Sequence, residues 1–219
     1  MKALIFDMDG LMIDSERLYF AAEKDIAEAF GKTVREETLW KMMGRKPIEG
    51  IRIFVQDLEI PASPEEVLGM RHEAMLQKMK TDLVAMPGLD HIIDRFLPDM
   101  KLAIATGAPA EYMDITLDSL DLREKFTVLQ ASDEIVNGKP DPEIYLKTCE
   151  KLNLDPADCI VLEDSSNGAL AGKRAGCYCV AVPNEYTDQQ NFDFVDYRAK
   201  DLYDAAGHIE ERMIQAPAQ

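Results

Sequence analysis

Five short apolar runs are distributed along the chain, and each has the pattern of a buried β-strand. Their hydrophobic positions are continuous rather than alternating, which is typical of strands covered on both faces, as in a parallel sheet. The five runs are residues 2–6, 101–105, 127–130, 159–162 and 178–182.

Helical periodicity separates the later runs. Apolar residues recur at helical spacing over residues 110–121, 143–153 and 169–175, and Gly176 follows where a helix C-terminus favours glycine. Strands that alternate with helices predict an α/β fold whose core is a doubly wound, Rossmann-like parallel sheet.

The stretch from residue 15 to residue 82 departs from this alternation, because it shows helical periodicity and no convincing strand. Ser15 precedes apolar positions at helical spacing and is a candidate cap for the first helix. Gly31, Gly44 with Pro47, and the segment 61–64 punctuate further helices. We therefore predict an all-helical domain, residues 15–82, inserted into a core formed by residues 1–14 and 83–219.

Composition narrows the class of protein. Of the 219 residues, 47% are apolar and 30% are charged, which is ordinary for a globular protein. No apolar run approaches the roughly 20 residues that cross a bilayer, and the chain reaches Asp7 too early for a secretory signal, so we expect a cytoplasmic protein. The four cysteines form no C-x-x-C pair, so we expect buried, reduced thiols rather than disulfides or a zinc site.

The chain is strongly acidic, with 24 basic residues against 41 acidic residues and a net charge of -17. Such a surface repels nucleic-acid backbones and anionic lipids, so we expect no nucleic-acid polymer and no membrane as a partner. A small anion is still allowed, because a local cluster of positive groups can reverse the field inside a cleft.

Two aspartates end the first predicted strand, in the sequence Phe6-Asp7-Met8-Asp9-Gly10. Asp7 and Asp9 point the same way while the chain is extended, and ligands of open α/β sheets bind beyond the carboxyl ends of strands. Two like charges held there favour a shared cation or a retained proton. The structural alternative is an Asx-turn in which Gly10 supplies an unusual backbone angle.

Three further polar motifs follow later predicted strands. Thr106 and Gly107 precede a helix, where a hydroxyl and backbone N–H groups suit a phosphate oxygen. Lys139 lies in a loop stiffened by prolines and can offset charge on a phosphoryl group. Glu163 and Asp164 offer the oxygen donors that Mg2+ takes. The structural alternatives are an N-cap, an exposed lysine and acids that complement a helix dipole.

The four motifs all fall at or just after the ends of predicted core strands, so one cleft can hold them. In combination and order they resemble the haloacid dehalogenase superfamily of phosphotransferases, in the branch that includes β-phosphoglucomutase. The resemblance rests on D-M-D-G at 7–10, Thr106, G-K-P-D-P at 138–142, E-D-S at 163–165, and the helical insertion. Segments 16–19 and 42–47 look most like pseudouridine-5′-phosphate phosphatases and sugar-phosphate phosphatases.

The resemblance implies roles for individual residues. Asp7 would be the nucleophile that forms an aspartyl-phosphate. Asp9 would protonate the leaving oxygen and then deprotonate the attacking water. Thr106, Gly107 and Lys139 would bind the phosphoryl group of the substrate.

The resemblance also implies Mg2+ as the cofactor. The ion would be held by Asp7, the backbone carbonyl of Asp9, and Asp164, with Glu163 binding directly or through water. Dehalogenation in the superfamily needs neither a metal nor a second acid, so the presence of these acids argues against that reaction.

The helical insertion would be the cap domain, which closes over the site and helps to choose the substrate. Arg45 and Lys46 would bind the non-reacting end of the substrate, unless they are solvated charges after a helix. In β-phosphoglucomutase a histidine of the first cap helix helps to position the acid aspartate, and Tyr19 takes that place here. This substitution favours hydrolysis over the mutase reaction. Gly10 and Asp14 are candidates for the hinge.

We therefore expect a monomeric, Mg2+-dependent phosphatase that hydrolyses a small phosphomonoester, either a sugar phosphate or a nucleoside phosphate. One alternative is a phosphomutase of the β-phosphoglucomutase type. A second is a non-catalytic Mg2+-binding domain. In a third, the helical insertion is a docking module for a partner, which predicts a large exposed apolar patch on it.

Overall fold

Strands and helices alternate along the chain in a computed structural model that describes residues 1–43, 45 and 47–215. The strands are β1 (Ala3–Phe6), β2 (Lys101–Ala105), β3 (Val128–Gln130), β4 (Cys159–Glu163), β5 (Tyr178–Ala181) and β6 (Tyr197–Arg198). The helices are α1 (Ser15–Ala29), α2 (Glu36–Met42), α3 (Pro47–Leu58), α4 (Pro64–Asp82), α5 (Leu89–Phe96), α6 (Ala110–Ser119), α7 (Glu143–Leu152), α8 (Ser166–Ala175) and α9 (Leu202–Gln215). Short 3-10 turns lie at Arg123–Lys125, Ser132–Glu134 and Pro156–Asp158.

The six strands form one parallel sheet in the order β3-β2-β1-β4-β5-β6. The central strand β1 lies between β2 and β4, and all of its residues are fully buried. Phe6 of β1 is paired with Ile104 of β2 and with Leu162 of β4, so the residues that follow these strands emerge at one edge of the sheet. The predicted α/β fold with a doubly wound, Rossmann-like parallel sheet is confirmed.

Small side chains bring α8 close to the sheet. A Cβ atom on Gly172 would lie 3.1 Å from Val161 of β4, so the helix backbone packs almost directly on the strand. Ala169, Ala171 and Ala175 of the same helix are also buried. This close packing holds the start of α8 beside the end of β4, where the predicted acids lie.

The chain forms two compact units. One comprises residues 15–83 and contains α1 to α4, whose apolar faces share a buried cluster that includes Ile26, Phe54 and Val67. The other comprises residues 1–14 and the described residues from 84 onward, and it contains the sheet and the remaining helices. Each unit therefore has a hydrophobic core of its own.

Within the sheet unit, the chain segments that lead to and from residues 15–83 run side by side. The backbone N–H of Asp14 donates to the carbonyl of Val84 at 3.0 Å, and Ile13 forms an antiparallel bridge with Ala85. The helical segment is thus inserted at two neighbouring points.

Several elements differ from the prediction. Helices α5 and α9 and strand β6 were not predicted, and β6 has only two residues, too few to show a periodic pattern. Helix α8 begins at Ser166, three residues before the predicted start, because the side chain of Ser165 accepts a hydrogen bond from Gly168 N at 3.1 Å. An N-terminal cap extends a helix beyond its apolar positions.

Ser15 does not cap α1, so that prediction is wrong. It is the first residue of the helix itself, and its buried hydroxyl finds no hydrogen-bond partner among the described residues. A capping residue precedes the first helical residue and keeps an extended backbone.

The four cysteines are buried and free, as the sequence predicted. Burial raises the pKa of the Cys179 thiol, which keeps that thiol protonated. In the part of the chain that the structure describes, no helix is both long enough and apolar enough to cross a bilayer.

Candidate active site

The turn that follows β1 is tightly folded on itself. The carbonyl of Met8 accepts hydrogen bonds from Leu11, Met12 and Ile13 N–H groups at 3.3, 2.8 and 3.2 Å. Gly10 has a φ of +75°, and a Cβ atom there would overlap the carboxylate of Asp164. A side chain at this position would therefore disrupt the turn and displace the acid at the end of β4.

Lys139 joins two of the predicted acids. Its Nζ lies 2.7 Å from Asp7 Oδ1 and 2.5 Å from Glu163 Oε1, and it also donates to the carbonyl of Ala105 at 3.2 Å. An ammonium group has three hydrogens, so these three acceptors use all of them. The structure thus brings Asp7, Lys139 and Glu163 together, although they are far apart in the sequence.

Glu163 is fully buried and is held by neighbours on three elements. Its Oε1 accepts a hydrogen bond from the hydroxyl of Tyr145 at 2.6 Å, and its Oε2 accepts one from Ser165 Oγ at 3.0 Å. Gly168 lies against the same carboxylate, which a Cβ atom would overlap. The carboxylate is therefore fixed in orientation before any ligand binds.

Three carboxylates meet at the end of the central strands. One oxygen from each of Asp7, Glu163 and Asp164 lies within 4.8 Å of the others, and all three residues are buried. The ammonium of Lys139 contacts two of them, Asp7 and Glu163. Mg2+ is small, doubly charged and takes oxygen ligands, so this set of donors fits it.

The electrostatics of the cluster reflect its burial. Desolvation and the neighbouring charge of Glu163 raise the pKa of Asp7 to about 7, although Lys139 acts in the opposite direction. Burial lowers the pKa of Lys139, but the charges of Asp7 and Glu163 outweigh burial and raise it overall. The lysine is therefore charged, and the buried carboxylate of Asp7 is costly to ionise.

Asp9 lies two residues beyond Asp7, in the turn, and is half-buried. It pairs with Ile13 in an isolated parallel bridge. Its charge contributes to raising the pKa of Asp7, so the two carboxylates are close enough to interact.

Thr106 and Gly107 emerge from β2, the strand next to β1. Thr106 is fully buried, and its Oγ1 accepts a hydrogen bond from Ala108 N at 3.0 Å. Gly107 is exposed, and a Cβ atom there would have open space around it. The first N–H of α6, at Ala110, donates to Asp133 Oδ2 at 2.7 Å, so it is engaged within the protein.

The predicted substrate-binding residues of the helical unit are described only in part. Arg45 is exposed, and its Nε donates to the carbonyl of Lys41 at 2.8 Å. Lys46 and Gly44, on either side of Arg45 in the sequence, lie outside the described residues. Tyr19 of α1 lies under the guanidinium group of Arg71, whose Cζ is 5.3 Å from the ring centroid. A role in substrate binding for Arg45 and Lys46 stays a prediction.

Sequence reasoning missed two residues that contact the acids. Tyr145 faces the sheet from α7, where an aromatic residue is normally part of the core. Asn184 follows β5, and its Nδ2 donates to Asp164 Oδ2 at 3.0 Å. A polar residue just after a strand end was the signal that found the acids, and the same signal was present at Asn184.

Comparisons with known proteins agree with this geometry. The sequence model of the haloacid dehalogenase-like hydrolases matches residues 4–182. The phosphorylated carbohydrates phosphatase of Thermotoga maritima is 40% identical over 178 residues, covering 80% of this chain and 82% of that protein. The probable pseudouridine-5'-phosphatase of Drosophila melanogaster is 35% identical over 196 residues, covering 85% of this chain and 83% of that protein.

A solved structure shows the same fold. CbbY from Rhodobacter sphaeroides, in complex with phosphate, has a TM-score of 0.81 and is 25% identical, covering 92% of this chain and 95% of that chain. The predicted superfamily and the prediction of a hydrolase are confirmed by these matches together. The family model matches most of the chain, and the structure has a parallel sheet with acids and a lysine at the ends of its strands. The chain therefore belongs to the haloacid dehalogenase-like hydrolase family.

Proposed function

We propose that this protein is a Mg2+-dependent phosphatase that hydrolyses a small phosphomonoester through an aspartyl-phosphate on Asp7. The observation that carries the proposal is the buried cluster of three carboxylates, two of which bond to one lysine. Such a cluster suits a divalent cation, and a divalent cation with a lysine allows a carboxylate to approach an anionic phosphate.

The first half of the reaction would transfer the phosphoryl group to the protein. A carboxylate oxygen of Asp7 attacks phosphorus, and the bond from phosphorus to the bridging oxygen breaks. Asp9 gives its proton to that oxygen, so the alcohol leaves neutral. Lys139 and Thr106 bind the phosphoryl oxygens; Lys139 exchanges one of its present acceptors for the substrate, and its charge offsets that of the phosphoryl group.

The second half would regenerate Asp7. Asp9, now ionised, removes a proton from water, and the water oxygen attacks phosphorus as the bond to Asp7 breaks. Asp7, Asp164 and the backbone carbonyl of Asp9 would hold Mg2+, with Glu163 binding directly or through water. Bound Mg2+ would supply positive charge that offsets the repulsion between carboxylate and phosphate.

The relatives support a sugar phosphate or a nucleoside phosphate as the substrate class. The Thermotoga maritima relative is named for phosphorylated carbohydrates, and the Drosophila melanogaster relative is named for a nucleoside 5'-phosphate. We extend that shared chemistry, a phosphomonoester on a ribose or another polyol, to this chain.

The proposal is tested by a screen for phosphate release from sugar, nucleoside and glycolate phosphates with Mg2+ and with a chelator. We expect activity only with the metal. Asp7→Asn removes the nucleophile and should lower turnover by on the order of 10³-fold or more. Asp9→Asn removes the acid and base and should cost about 10²- to 10⁴-fold.

Asp158→Asn is the matched control, because Asp158 is a half-buried acid that pairs with Lys2 before β4 begins. It should leave phosphate release unchanged. Phosphate release by Asp7→Asn at the wild-type rate would contradict the mechanism. A product that is an isomer of the sugar phosphate, without free phosphate, would replace the phosphatase with a phosphomutase. No turnover of any substrate would favour the non-catalytic Mg2+-binding domain.

A further inference from the structure

Asn184 lies in one loop and bonds to two other loops, both of which belong to the proposed metal site. It lies after β5, and its Nδ2 donates to the carbonyl of Gly10 and to Asp164 Oδ2, both at 3.0 Å. A primary amide has two N–H hydrogens, so one bond can go to each acceptor. The turn after β1 and the acid after β4 are thus tied to the same side chain.

The other end of the amide fixes its orientation. Asn184 Oδ1 accepts hydrogen bonds from the backbone N–H groups of Tyr186 and Thr187, at 2.9 and 3.2 Å. A backbone N–H can only donate, so the atom facing these two groups must be the oxygen. The NH2 group therefore points at Gly10 and Asp164, and a flipped amide would oppose donors to donors.

The three groups are packed with little space between them. A Cβ atom on Gly10 would lie 2.8 Å from Asn184 Nδ2 and would overlap Asp164. The turn that carries Asp7 and Asp9 therefore approaches the carboxylate of Asp164 closely, and the amide lies against both. A shift of Asn184 would alter the separation between Asp164 and the turn, which both belong to the proposed set of metal ligands.

We propose that Asn184 is a positioning residue that holds Asp164 and the turn of residues 7–10 at the separation needed to bind a divalent cation. This inference rests on the metal site of the proposed function. Hydrogen-bond partners behind metal ligands typically change metal affinity or activity by about 10- to 100-fold when they are removed. Asn184 makes two such bonds from one side chain, so its removal loosens both sides of the site.

The test measures binding of Mn2+, a spectroscopic substitute for Mg2+, by the free Mn2+ signal in electron paramagnetic resonance without substrate. Asn184→Ala should raise the dissociation constant for Mn2+ by about tenfold or more. Gln190→Ala is the matched control, because Gln190 is an amide of the same loop whose Oε1 accepts from Ser166 N at 2.7 Å. It should bind Mn2+ within about twofold of the wild type.

Thr187→Val separates positioning from folding of the loop. Thr187 Oγ1 accepts from Asn184 N at 3.0 Å and donates to Asn184 Oδ1 at 3.3 Å, so the substitution weakens the loop. The backbone N–H groups of Tyr186 and Thr187 still orient the amide, so both of its donors stay in place. We expect this variant to bind Mn2+ within about twofold of the wild type. If Thr187→Val loses as much Mn2+ affinity as Asn184→Ala, loop folding explains the effect and the positioning role is overturned.

Wild-type affinity for Mn2+ in Asn184→Ala also overturns the positioning role, whatever the phosphatase screen shows. Mn2+ binding without phosphate release from any substrate overturns the phosphatase function but leaves the role of Asn184 intact. Failure of the wild-type protein to bind Mn2+ overturns both.

Discussion

Glu163 shows how one side chain can organise a polar site inside a protein. It is fully buried, its Oε1 accepts hydrogen bonds from Lys139 and Tyr145, and its Oε2 accepts one from Ser165. A buried carboxylate is stable only when such donors replace water. Glu163 therefore fixes the position of the lysine that also binds Asp7, whatever its own contact with a metal is.

Tyr145→Phe removes one of these donors without changing the shape of the core. The hydroxyl is buried and bonds to a charged group, so its loss should reduce the free energy of unfolding by about 1.5–3 kcal/mol. Phosphate release should also fall, because Glu163 and Lys139 lose a fixed neighbour. Urea unfolding and turnover of the best substrate measure the two effects.

The control for this substitution is Tyr178→Phe, whose hydroxyl meets His208 Nε2 at 2.9 Å in a partly buried pair. It should change turnover little. Equal effects of the two substitutions on turnover would show that the bond to Glu163 has no special role.

At this scale the sequence predicted the clustered acids and the lysine, and it missed Tyr145 and Asn184. Asp7, Glu163 and Asp164 were found because acids directly after buried strands are costly unless they have a function. Tyr145 falls at a core position of α7, where the sequence pattern predicts only an apolar contact, so its hydroxyl contact requires three-dimensional information. Asn184 carries no charge, and its two donors acquire meaning only when Gly10 and Asp164 are known to lie beside it.

The loop before α7 positions Lys139 through contacts made by the helix itself. Glu143, the first residue of α7, accepts hydrogen bonds from Val136 N at 3.0 Å and Asn137 N at 2.8 Å, and pairs with Lys147 at 2.7 Å. The pKa of Glu143 is lowered to about 2, most strongly by Lys147 and next by the two backbone donors. The ionised carboxylate is therefore part of the folded loop.

Glu143→Gln should make the protein less sensitive to acid. The pKa of Glu143 is lower in the folded chain than its ordinary value of 4.5, so its contribution to stability is present above pH 4.5 and is lost as pH falls towards 2. The difference in urea midpoint between wild type and variant should thus shrink over that range. Glu150→Gln, an exposed acid of the same helix, is the control and should show a constant difference.

Strands with continuous apolar runs were predicted, whereas helices α5 and α9, the first turn of α8 and the short strand β6 were not. β2 was found with its observed bounds because four apolar residues in succession follow Lys101 and leave little ambiguity. The first turn of α8 was missed because Ser166, Asn167 and Gly168 lack apolar periodicity, and the cap at Ser165 determines where it begins. The two residues of β6 pair with β5 only because the chain returns there.

Each of the two units has a buried apolar cluster, and the helical unit also includes a buried ion pair that the proposed reaction does not use. Oε1 of Glu23 on α1 lies 3.4 Å from Nη1 of Arg71 on α4, and both side chains are mostly buried. Burial raises the pKa of Glu23 to about 7, although Arg71 acts in the opposite direction. The ionised form is therefore poorly compensated inside this unit.

Glu23→Gln should remove a pH dependence of stability. The folded pKa of about 7 lies above the ordinary value of 4.5, so the contribution of Glu23 is most favourable below pH 4.5 and is lost as pH rises through 7. The variant should gain stability relative to the wild type between pH 5 and pH 8, as measured by urea unfolding. Glu28→Gln, an exposed acid on α1, should show no such gain, and a flat difference for Glu23→Gln would contradict the assignment.

The pairing of Ile13 and Asp14 with Ala85 and Val84 has a consequence for how such a chain diversifies. Because these residues are paired, the two ends of the inserted segment, residues 15–83, lie close together whatever the length of the insertion. The entropy cost of closing such a loop grows only slowly with loop length. Recombination at these two points would exchange the whole inserted segment and leave the hydrogen bonds of the sheet in place. The proposed catalytic residues of the sheet unit and the inserted helices can therefore be inherited separately.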